Sequence, residues 1–525
     1  MKKILFSLCS LLTCIGITPL IAQRYYTEVF SSTTVTSDVV YGQNFQVYLP
    51  TNPGPILIDL KADVYEPVGD TLSARPTVIL LHTGSFVPIF YNGQPTGIKT
   101  DSAVTEMCRQ FARRGFTAIA MDYRLWWNPV APDVDVRKGT ILQAVGRAIQ
   151  DAKACVRYFR NNANTTNTYH IDETKISLGG MGTGGYIALG YATIDKYSEI
   201  GLFKFLPSTS YPTYCLTGGV TPFDSTCWGS IDGYGGNPGL NNSNNTPGVS
   251  NDICFVFNMG GALGDSSWLE PGDVPMVCFH TMNDPFAPYT DGPVFTPPPS
   301  SQYVVDVSGS YTVIKKGDAL QNNSAFQYNT WTDPFTTRAN TLNNGYDGLF
   351  PFELPPPPNP PSLVSGQAGP WEWWDSTTVY YICTNFIGFT QGHTDTILTQ
   401  ALWANPDMSS AKGHAYIDTT MNYLLPRLIA SSCTPLSINE ISPLAKSVSV
   451  YPNPATNKFT INITDTKVGA PQFIEINDAT GRMMKRIDNP VGNKIVVDRN
   501  GLEAGAYLVK VKFNKGEVVK KIILQ

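Results

Sequence analysis

The sequence predicts an α/β fold, a mostly parallel central sheet flanked by helices, followed by a small all-β domain. Between residues 75 and 193, apolar segments of strand length alternate with segments that have helical spacing, an order typical of parallel strands joined by helical crossovers. Two further apolar segments, ICFVFNM and VPMVCFH, extend that sheet. From about residue 447 the chain changes to seven short β segments separated by turn residues, which is typical of a small sandwich.

The first part of the chain predicts the sheet and the helices that pack on it. YYTEVFSSTTVTSDVVYG and ILIDLKADVYEP alternate in polarity, which suits an antiparallel start to the sheet. RPTVILLHTGSF is a buried strand, the helical segment SAVTEMCRQFARRG stops at Gly115, and FTAIAMDYR is the next strand. Residues 139–161 carry apolar side chains at helical spacing. KISLGGM then predicts a strand that enters a glycine turn, with a helix over YIALGYA.

Residues from about 290 to 405 show no clear periodicity and contain PPPSS, PPPPNPP and GPWEWWDSTTVYY. A long segment without a regular pattern inside a folded domain is usually a functional loop such as a lid. We therefore expect an insertion or lid here, and a final helix from about Met408 to Ala430 that closes the domain.

Composition indicates an exported protein. Charged residues make up only 15% of the 525, whereas glycine (45) and proline (40) are plentiful, which fits a loop-rich secreted chain. The start, MKKILFSLCSLLTCIGITPLIAQ, has two lysines, an apolar stretch and the small residue Ala22, so residues 1–22 are predicted to be a signal peptide. That stretch is too short and too interrupted for a transmembrane segment. The net charge of −5 gives no basic patch of the kind that nucleic acids require.

Removal of the leader leaves eight cysteines, an even number that permits disulfides in an exported chain. Cys215 and Cys227 flank a loop rich in turn-forming residues, and we predict a bridge between them. Four cysteines lie inside apolar patterns that fit buried free thiols at least as well as disulfides: Cys108, Cys155, Cys254 and Cys278. No spacing resembles a zinc site, so neither a metal nor a cofactor is expected.

These patterns divide the chain into four parts. Residues 1–22 are the predicted signal peptide, and residues 23–435 are the α/β domain with its insertion. Residues 436–446 are a polar, proline-bearing linker. Residues 447–525 are the β domain.

Several motifs, taken in order, resemble the carboxylesterase branch of the α/β-hydrolase fold. They are HTGSF, where HGGSF is usual, then GFTAIAMDYRL, DAKACVRYFR, GMGTGG and TMNDPFAPY. The resemblance covers residues 23–433. It implies an α/β-hydrolase fold and a hydrolase of carboxylic esters.

The C-terminal domain resembles the C-terminal sorting domain of the type IX secretion system of Bacteroidetes. YPNPATN, the ATGR turn, GLEAGAYLVKV and the basic and apolar final strand carry that resemblance. It implies that the type IX machinery acts on residues 447–525. After export to the periplasm, the protein is then expected to reach the outer cell surface or the medium.

The carboxylesterase resemblance places the nucleophile of the family on a glycine. The motif G-x-S-x-G falls on residues 180–184, so the serine position is occupied by Gly182. Glycine accepts the positive φ of this elbow without strain, which preserves the turn but removes the oxygen that attacks the substrate. Loss of a triad serine lowers turnover by roughly 10⁶.

The resemblance also assigns the groups around the nucleophile. Backbone N–H groups at Gly84, Ser85 and Thr183 match the oxyanion hole, and Asp284 matches the acid of the triad. Ser85 and Thr183 also carry hydroxyls that could replace the missing serine. Ser85 belongs to the oxyanion loop, and Thr183 would project from the first helical turn rather than from the tip of the elbow.

The histidine of the triad has two candidates. Of the five histidines, His82, His170 and His280 belong to strands or to the loop before a strand, which leaves His393 and His414. A histidine of this family normally lies in a loop before the final helix, which favours His393 as the base. His414 falls within the helical pattern and fits a structural side chain better.

Two functions of different class follow. The first is a non-catalytic binding protein, a pseudo-hydrolase whose pocket takes a small-molecule, glycan or ester ligand. The second is an active hydrolase of carboxylic esters with a displaced nucleophile. The aromatic cluster Trp371, Trp373 and Trp374 fits either a packed core of the insertion or a platform on which a ligand stacks.

Overall fold

The computed structural model describes residues 24–47, 54–92, 94–207, 223–296, 300–327, 331–358, 364–431, 433–434, 448–463, 470–478, 482–513 and 516–525. The chain forms two compact units, Met1–Thr434 and Pro435–Gln525. The predicted signal peptide and linker lie outside the described residues. Among the helices of the described ranges, none has both the length and the apolar character needed to cross a membrane.

A mostly parallel sheet of eight strands organises the larger unit. The strands of this unit are β1 (Thr33–Gln46), β2 (Ile56–Pro67), β3 (Arg75–Leu81), β4 (Thr117–Met121), β5 (Ile171–Met181), β6 (Phe255–Met259), β7 (Met276–Thr281), β8 (Asp291–Phe295), β9 (Tyr303–Ser308) and β10 (Leu349–Phe352). The main sheet has the order β1-β2-β4-β3-β5-β6-β7-β10. β2 pairs antiparallel with β1 and β4, and the other neighbours are parallel. This sheet confirms the predicted fold class.

Helices cover both faces of the sheet. They are α1 (Ile89–Asn92), α2 (Ser102–Arg113), α3 (Val134–Asn164), α4 (Thr183–Thr193), α5 (Tyr197–Ile200), α6 (Ser225–Trp228), α7 (Ser310–Ala319), α8 (Ser324–Gln327), α9 (Pro334–Asn340), α10 (Ser376–Ile382), α11 (Gln391–Ala401) and α12 (Ser410–Ala430). Ile79 and Leu81 of β3 share one core cluster with α3 and α4, whereas Val78 and Leu80 share the other with α2 and α12. A strand that is buried on both faces needs a continuous apolar run, which RPTVILL supplies.

The segment from about residue 290 to 405 differs from the single irregular insertion that its sequence predicts. β8 and β9 form an antiparallel hairpin, and α7 follows them. β10 then pairs in parallel with β7 as the edge strand of the main sheet. This part of the segment therefore belongs to the core architecture. Its strand is only four residues long, LFPF, which is too short to show a period.

A disulfide joins Cys254 and Cys433, so of the two states that the pattern around Cys254 left open, the structure has the disulfide. The two Cα atoms are 5.4 Å apart, and the residues are 179 positions apart in the sequence. Cys254 directly precedes β6, and Cys433 follows the end of α12. The apolar pattern around Cys254 could not reveal that the end of the last helix lies beside it.

The other cysteines follow the sequence more closely. Cys108, Cys155 and Cys278 are free and buried, as expected. Cys227 is disulfide-bonded. Cys215 lies outside the described residues, so the Cys215–Cys227 bridge stays a prediction.

The described part of the smaller unit is all β, and the seven strands found there confirm the seven predicted segments. They are β11 (Val448–Tyr451), β12 (Lys458–Ile463), β13 (Phe473–Asp478), β14 (Met483–Asp488), β15 (Lys494–Asp498), β16 (Gly505–Phe513) and β17 (Gly516–Leu524). They form a three-stranded sheet, β11-β12-β15, and a four-stranded sheet, β14-β13-β16-β17. Alternate residues of the two sheets, among them Phe459, Ile461, Val509 and Val511, share one core.

Candidate functional site

The predicted site residues follow three parallel strands of the main sheet. Gly84 comes after β3, Gly182 directly after β5, and Asp284 after β7. Because the carboxyl ends of parallel strands meet at one edge, the fold brings these residues together. All three line one cavity of about 220 Å³.

The strand, turn and helix of the nucleophile elbow are intact. Gly182 has φ +51° and ψ −116° and lies between β5 and the first residue of α4. Its amide donates to the carbonyl oxygen of Met259 at 2.8 Å. A Cβ at Gly180 would lie 2.1 Å from the backbone of Gly184. The glycines of GGMGTGG are thus required by close backbone contact and by the positive φ of the turn.

Thr83 fills the space that an elbow serine would need. A Cβ built on Gly182 would lie 2.2 Å from Thr83 Oγ1 and 3.1 Å from Thr83 Cβ. The Thr83 hydroxyl therefore lies beside the backbone position from which a nucleophilic oxygen projects in an esterase. The sequence contained the signal, since Thr83 is the departure from HGGSF in HTGSF, but sequence reasoning did not connect it with Gly182.

The predicted oxyanion residues line the same cavity. Gly84, Ser85 and Phe86 have φ values of +119°, +56° and +55°, an unusual run of left-handed residues that turns the chain sharply after β3. Trp127 Nε1 donates to the carbonyl oxygen of Ser85 at 2.7 Å, which fixes the loop. Thr183 Oγ1 forms a hydrogen bond with the Tyr123 hydroxyl at 3.2 Å. These contacts fix the loop after β3 and the start of α4 at the cavity wall.

Asp284 is a buried carboxyl in the cavity wall. Its side chain is only 4% exposed, and Oδ1 accepts hydrogen bonds from the amides of Phe286 at 2.7 Å and Ala287 at 3.0 Å. Burial raises the pKa of Asp284 to about 7, although the two amide donors oppose that rise. At neutral pH this carboxyl is therefore present in both its neutral and its charged form.

No histidine lines the cavity, although all five lie in the described ranges. His280 is nearest to the acid, with Nε2 at 3.8 Å from Asp284 Oδ2. It is fully buried, and its ring nitrogens are engaged by Ser310 Oγ at 2.7 Å and the carbonyl oxygen of Ala287 at 3.1 Å. Burial lowers its pKa to about 4. His280 is thus a neutral structural residue.

The assignment of His393 as the base needs correction. His393 lies exposed on α11, where its ring stacks on Phe389 with the centroids 4.0 Å apart. His414 lies on α12, as its pattern predicts, and Nδ1 is 2.7 Å from the carbonyl oxygen of Ser410. Sequence order alone could not show which way these helices face. Neither histidine takes part in the cavity.

Glu372 is a cavity residue that sequence reasoning missed. It lies in GPWEWWD and lines the cavity together with Asp284. Burial raises the pKa of Glu372 to about 7, and the negative charge of Asp284 adds to the rise. A single acidic residue inside an aromatic cluster was the available signal.

The tryptophans of the same segment lie in two places. Trp371 and Trp374 line the cavity, and Trp371 is also part of the apolar core with 1% exposure. Trp373 instead packs on Gly413 and His414 of α12. The cluster thus closes one side of the cavity and fixes that wall to the last helix.

The cavity is largely aromatic and aliphatic, with few polar groups. Its aromatic members are Phe86, Trp127, Tyr186, Phe205, Trp268, Phe286, Phe295, Trp371 and Trp374. Asp284 and Glu372 are the charged groups among the described lining residues. No group of three potential metal ligands occurs within the part of the chain that the structure describes. An apolar cavity with a few convergent polar groups is typical of a small-molecule site.

Two family models match separate parts of the chain. A model described as BD-FAE matches residues 62–205, and a model described as secretion system C-terminal sorting domain matches residues 449–525. The first covers β3, the elbow and α4, and the second covers the all-β unit.

Comparisons with individual proteins give more distant matches. The non-reducing polyketide synthase atr1 of Stereocaulon alpinum is 26% identical over 189 residues, which are 34% of this chain and 7% of the synthase. A thermophilic esterase, Est2, of the planctomycete Thermogutta terrifontis is 15% identical over 70% of this chain and 94% of its own, with a TM-score of 0.30. A truncated carbohydrate esterase from gut microbiota is 16% identical over 50% of this chain and 81% of its own, with a TM-score of 0.26.

Proposed function

The chain combines a BD-FAE esterase-like domain with a C-terminal sorting domain of type IX secretion, and we propose that this exported protein is a pseudo-hydrolase that binds a ligand in the retained cavity. The observation that carries the proposal is the pair Gly182 and Thr83. The serine position holds no side chain, and the Thr83 hydroxyl occupies the adjacent space.

The surroundings of the elbow support binding rather than serine chemistry. A triad needs a histidine within about 2.6–3.2 Å of the nucleophile, and none of the five histidines lines the cavity. The oxyanion loop and Asp284 alone supply only the residual acceleration of about 10³ over water that remains after loss of a triad. Such a site can still hold a ligand through its apolar walls.

The test is hydrolysis by the purified mature protein. We expect no cleavage of p-nitrophenyl acetate or butyrate above a Thr83→Val control, and no labelling by a serine-reactive fluorophosphonate. Thr83→Val keeps the shape of the side chain and removes its hydroxyl. Turnover of even about one per second, abolished by a serine-directed inhibitor, would contradict the proposal.

A second candidate function is ester hydrolysis with Thr83 as a displaced nucleophile. The position of Thr83 Oγ1 beside Gly182 favours it, as does Glu372, which lines two adjoining cavities together with Thr83. In this reaction Thr83 Oγ1 attacks the ester carbonyl carbon while Glu372 takes its proton. Glu372 then protonates the departing alcohol, and water hydrolyses the acyl-threonine to release the acid.

The same assay separates the two candidates. If Thr83 is the nucleophile, activity is present, disappears in both Thr83→Val and Glu372→Gln, and persists in Thr83→Ser. If the protein is a pseudo-hydrolase, the wild type and these three variants are equally inactive. Ser85→Ala serves as a control, since it removes a nearby hydroxyl that lies in the oxyanion loop.

A further inference from the structure

The charge of the cavity points to the class of its ligand. Asp284 and Glu372 both line the cavity, and no lysine, arginine or histidine is found among the residues that the structure describes in its walls. We infer that the cavity binds a small organic cation, a substituted ammonium ion that also carries a hydroxyl or carbonyl oxygen, with its charge held by Asp284 and Glu372. This inference rests on the proposed binding function and names its ligand class.

Two like charges in an apolar cavity are unstable without a counterion. Asp284 and Glu372 raise each other's free energy when both are ionised, because the surrounding walls screen them poorly. A bound cation would remove that repulsion and let both carboxyls ionise. Without a counterion, protons can neutralise the pair instead: burial raises the pKa of both groups to about 7, and the charge of Asp284 adds to the rise for Glu372.

The aromatic walls suit the same ligand. Trp371, Trp374, Tyr186 and Phe286 line the same cavity as Asp284 and Glu372. Asp284 contributes to the raised pKa of Tyr186, so the phenol ring and the carboxylate are neighbours. Aromatic faces attract alkylammonium groups, and the attraction grows where water is excluded. An anionic ligand would meet two carboxyls and no basic side chain here.

Two residues of the cavity wall carry buried donors that lack a partner. Trp371 Nε1 and the Tyr186 hydroxyl are buried and have no hydrogen-bond partner within the described structure. Both side chains line the cavity, and Trp371 is 1% exposed. A buried donor without a partner costs free energy, so a ligand oxygen that accepts from either group would add affinity and orientation.

The affinity for a cation should depend on pH, because it requires ionised Asp284 and Glu372, and the groups around these two carboxyls influence their ionisation. Glu372 faces Asp284 after β7 and Asp101 before α2, and its charge adds to the raised pKa of Asp101. Asp284 faces Tyr186 of α4 and His280 of β7. His280 stays neutral down to a pKa of about 4. Affinity for the cation is therefore expected to rise as pH increases through 7.

The experiment compares choline with 3,3-dimethyl-1-butanol, in which carbon replaces the charged nitrogen. Calorimetric titration of the full mature protein at pH 8 is expected to give at least about tenfold tighter binding of choline. Choline binding should weaken about tenfold or more at pH 5, where the carboxyls are protonated. Titrations at pH 7 in two buffers of different ionisation enthalpy should show that choline binding releases protons.

Variants assign the effect to the two carboxyls. Glu372→Gln and Asp284→Asn are each expected to weaken choline binding about tenfold, with little change for the alcohol. Glu353→Gln changes an exposed carboxyl outside the cavity and is the matched control. Equal affinities of the wild-type protein for choline and the alcohol, or no choline binding up to millimolar concentration, would overturn the inference. Both results leave the pseudo-hydrolase proposal standing, because that proposal depends on the hydrolysis assay.

Discussion

At the residue scale, Gly182 and Thr83 share the space that one serine takes in an esterase elbow. Gly182 keeps the φ of +51° that the turn needs, and Thr83 Oγ1 lies where a Cβ and its hydroxyl would project. The sequence alone indicates only backbone strain for a side chain at this position, because the elbow needs a positive φ. The structure adds a steric cost, because Thr83 leaves no room for the new side chain.

We predict that Gly182→Ser lowers the free energy of unfolding by about 2–6 kcal/mol, the sum of positive-φ strain and overpacking. Gly69→Ser is the matched control, since Gly69 also has a positive φ but nothing lies within 4 Å of its Cβ position. Urea unfolding followed by tryptophan fluorescence measures the stability of both variants. All nine tryptophans lie before residue 404, so the signal reports on the larger unit.

A double-mutant cycle isolates the contact. Adding Thr83→Ala to Gly182→Ser should recover part of the loss, so the two changes are expected to be coupled favourably. A Gly182→Ser protein that loses no more stability than Gly69→Ser would show that Thr83 does not fill the elbow. We expect neither the single nor the double variant to gain esterase activity, because no histidine lines the cavity.

The carboxyl of Glu372 should make stability depend on pH in a defined direction. Its pKa is about 7 in the folded protein, whereas an unperturbed glutamate ionises near pH 4. Between these values the folded state holds more protons than the unfolded state, so this group lowers stability as pH rises from about 4 to 7. Above pH 7 the effect stays constant.

We therefore predict that Glu372→Gln gains stability relative to the wild type as pH rises from 4 to 7. The difference in free energy of unfolding between variant and wild type is the quantity to follow, since it cancels the other titrating groups. Tryptophan-monitored urea unfolding at several pH values measures it. Glu353→Gln is the control at an exposed position, and a Glu372→Gln difference that is flat across this window would contradict the assignment.

At the scale of elements, the last helix is attached to the sheet by a covalent bond. The Cys254–Cys433 disulfide links the residue before β6 to the segment after α12. It closes a long loop, and such a bond chiefly restricts the unfolded chain. α12 also supports the cavity wall, because its Gly413 packs against Trp373, which lies between the lining residues Glu372 and Trp374.

We predict that Cys254→Ser with Cys433→Ser lowers the free energy of unfolding by about 2–5 kcal/mol. Replacement of the free Cys383 by serine is the control. Non-reducing peptide mapping should recover the Cys254–Cys433 pair, and the same map tests the predicted Cys215–Cys227 bridge. Recovery of Cys254 and Cys433 as alkylated free thiols would contradict the first assignment, and free Cys215 and Cys227 would contradict the second.

At the scale of the whole molecule, the two units have separate cores. The core of the smaller unit consists of residues from 448 onward, such as Val448 and Phe513, and the two clusters of the larger unit contain none of them. The sorting-domain match covers the smaller unit and indicates type IX export to the cell surface or the medium. Export and ligand binding are therefore assigned to different units.

We predict that deletion of residues 447–525 leaves the larger unit folded but retains it in the periplasm. Its core keeps all of its buried residues, so the tryptophan-monitored unfolding midpoint should change little. Cell fractionation and accessibility to added protease measure the location. Surface exposure that survives the deletion would contradict the role of the smaller unit in export.

The sequence by itself determined the features that depend on neighbouring residues. The apolar run of β3, the glycine turn at Gly182 and the alternation in the smaller unit are local patterns, and the structure contains each of them. Hydrophobic period and turn chemistry act over a few residues, which is why they can be recognised without the fold.

Tertiary structure alone decided which residues meet at the cavity. Thr83 meets Gly182 from 99 residues away in the sequence. Glu372 lies close to Asp284 from another segment, and His393 is exposed outside the cavity. The Cys254–Cys433 bond and the edge strand β10 are also long-range contacts. Such contacts depend on how packed elements are oriented in space, and that orientation follows from burial across the whole core rather than from any local pattern.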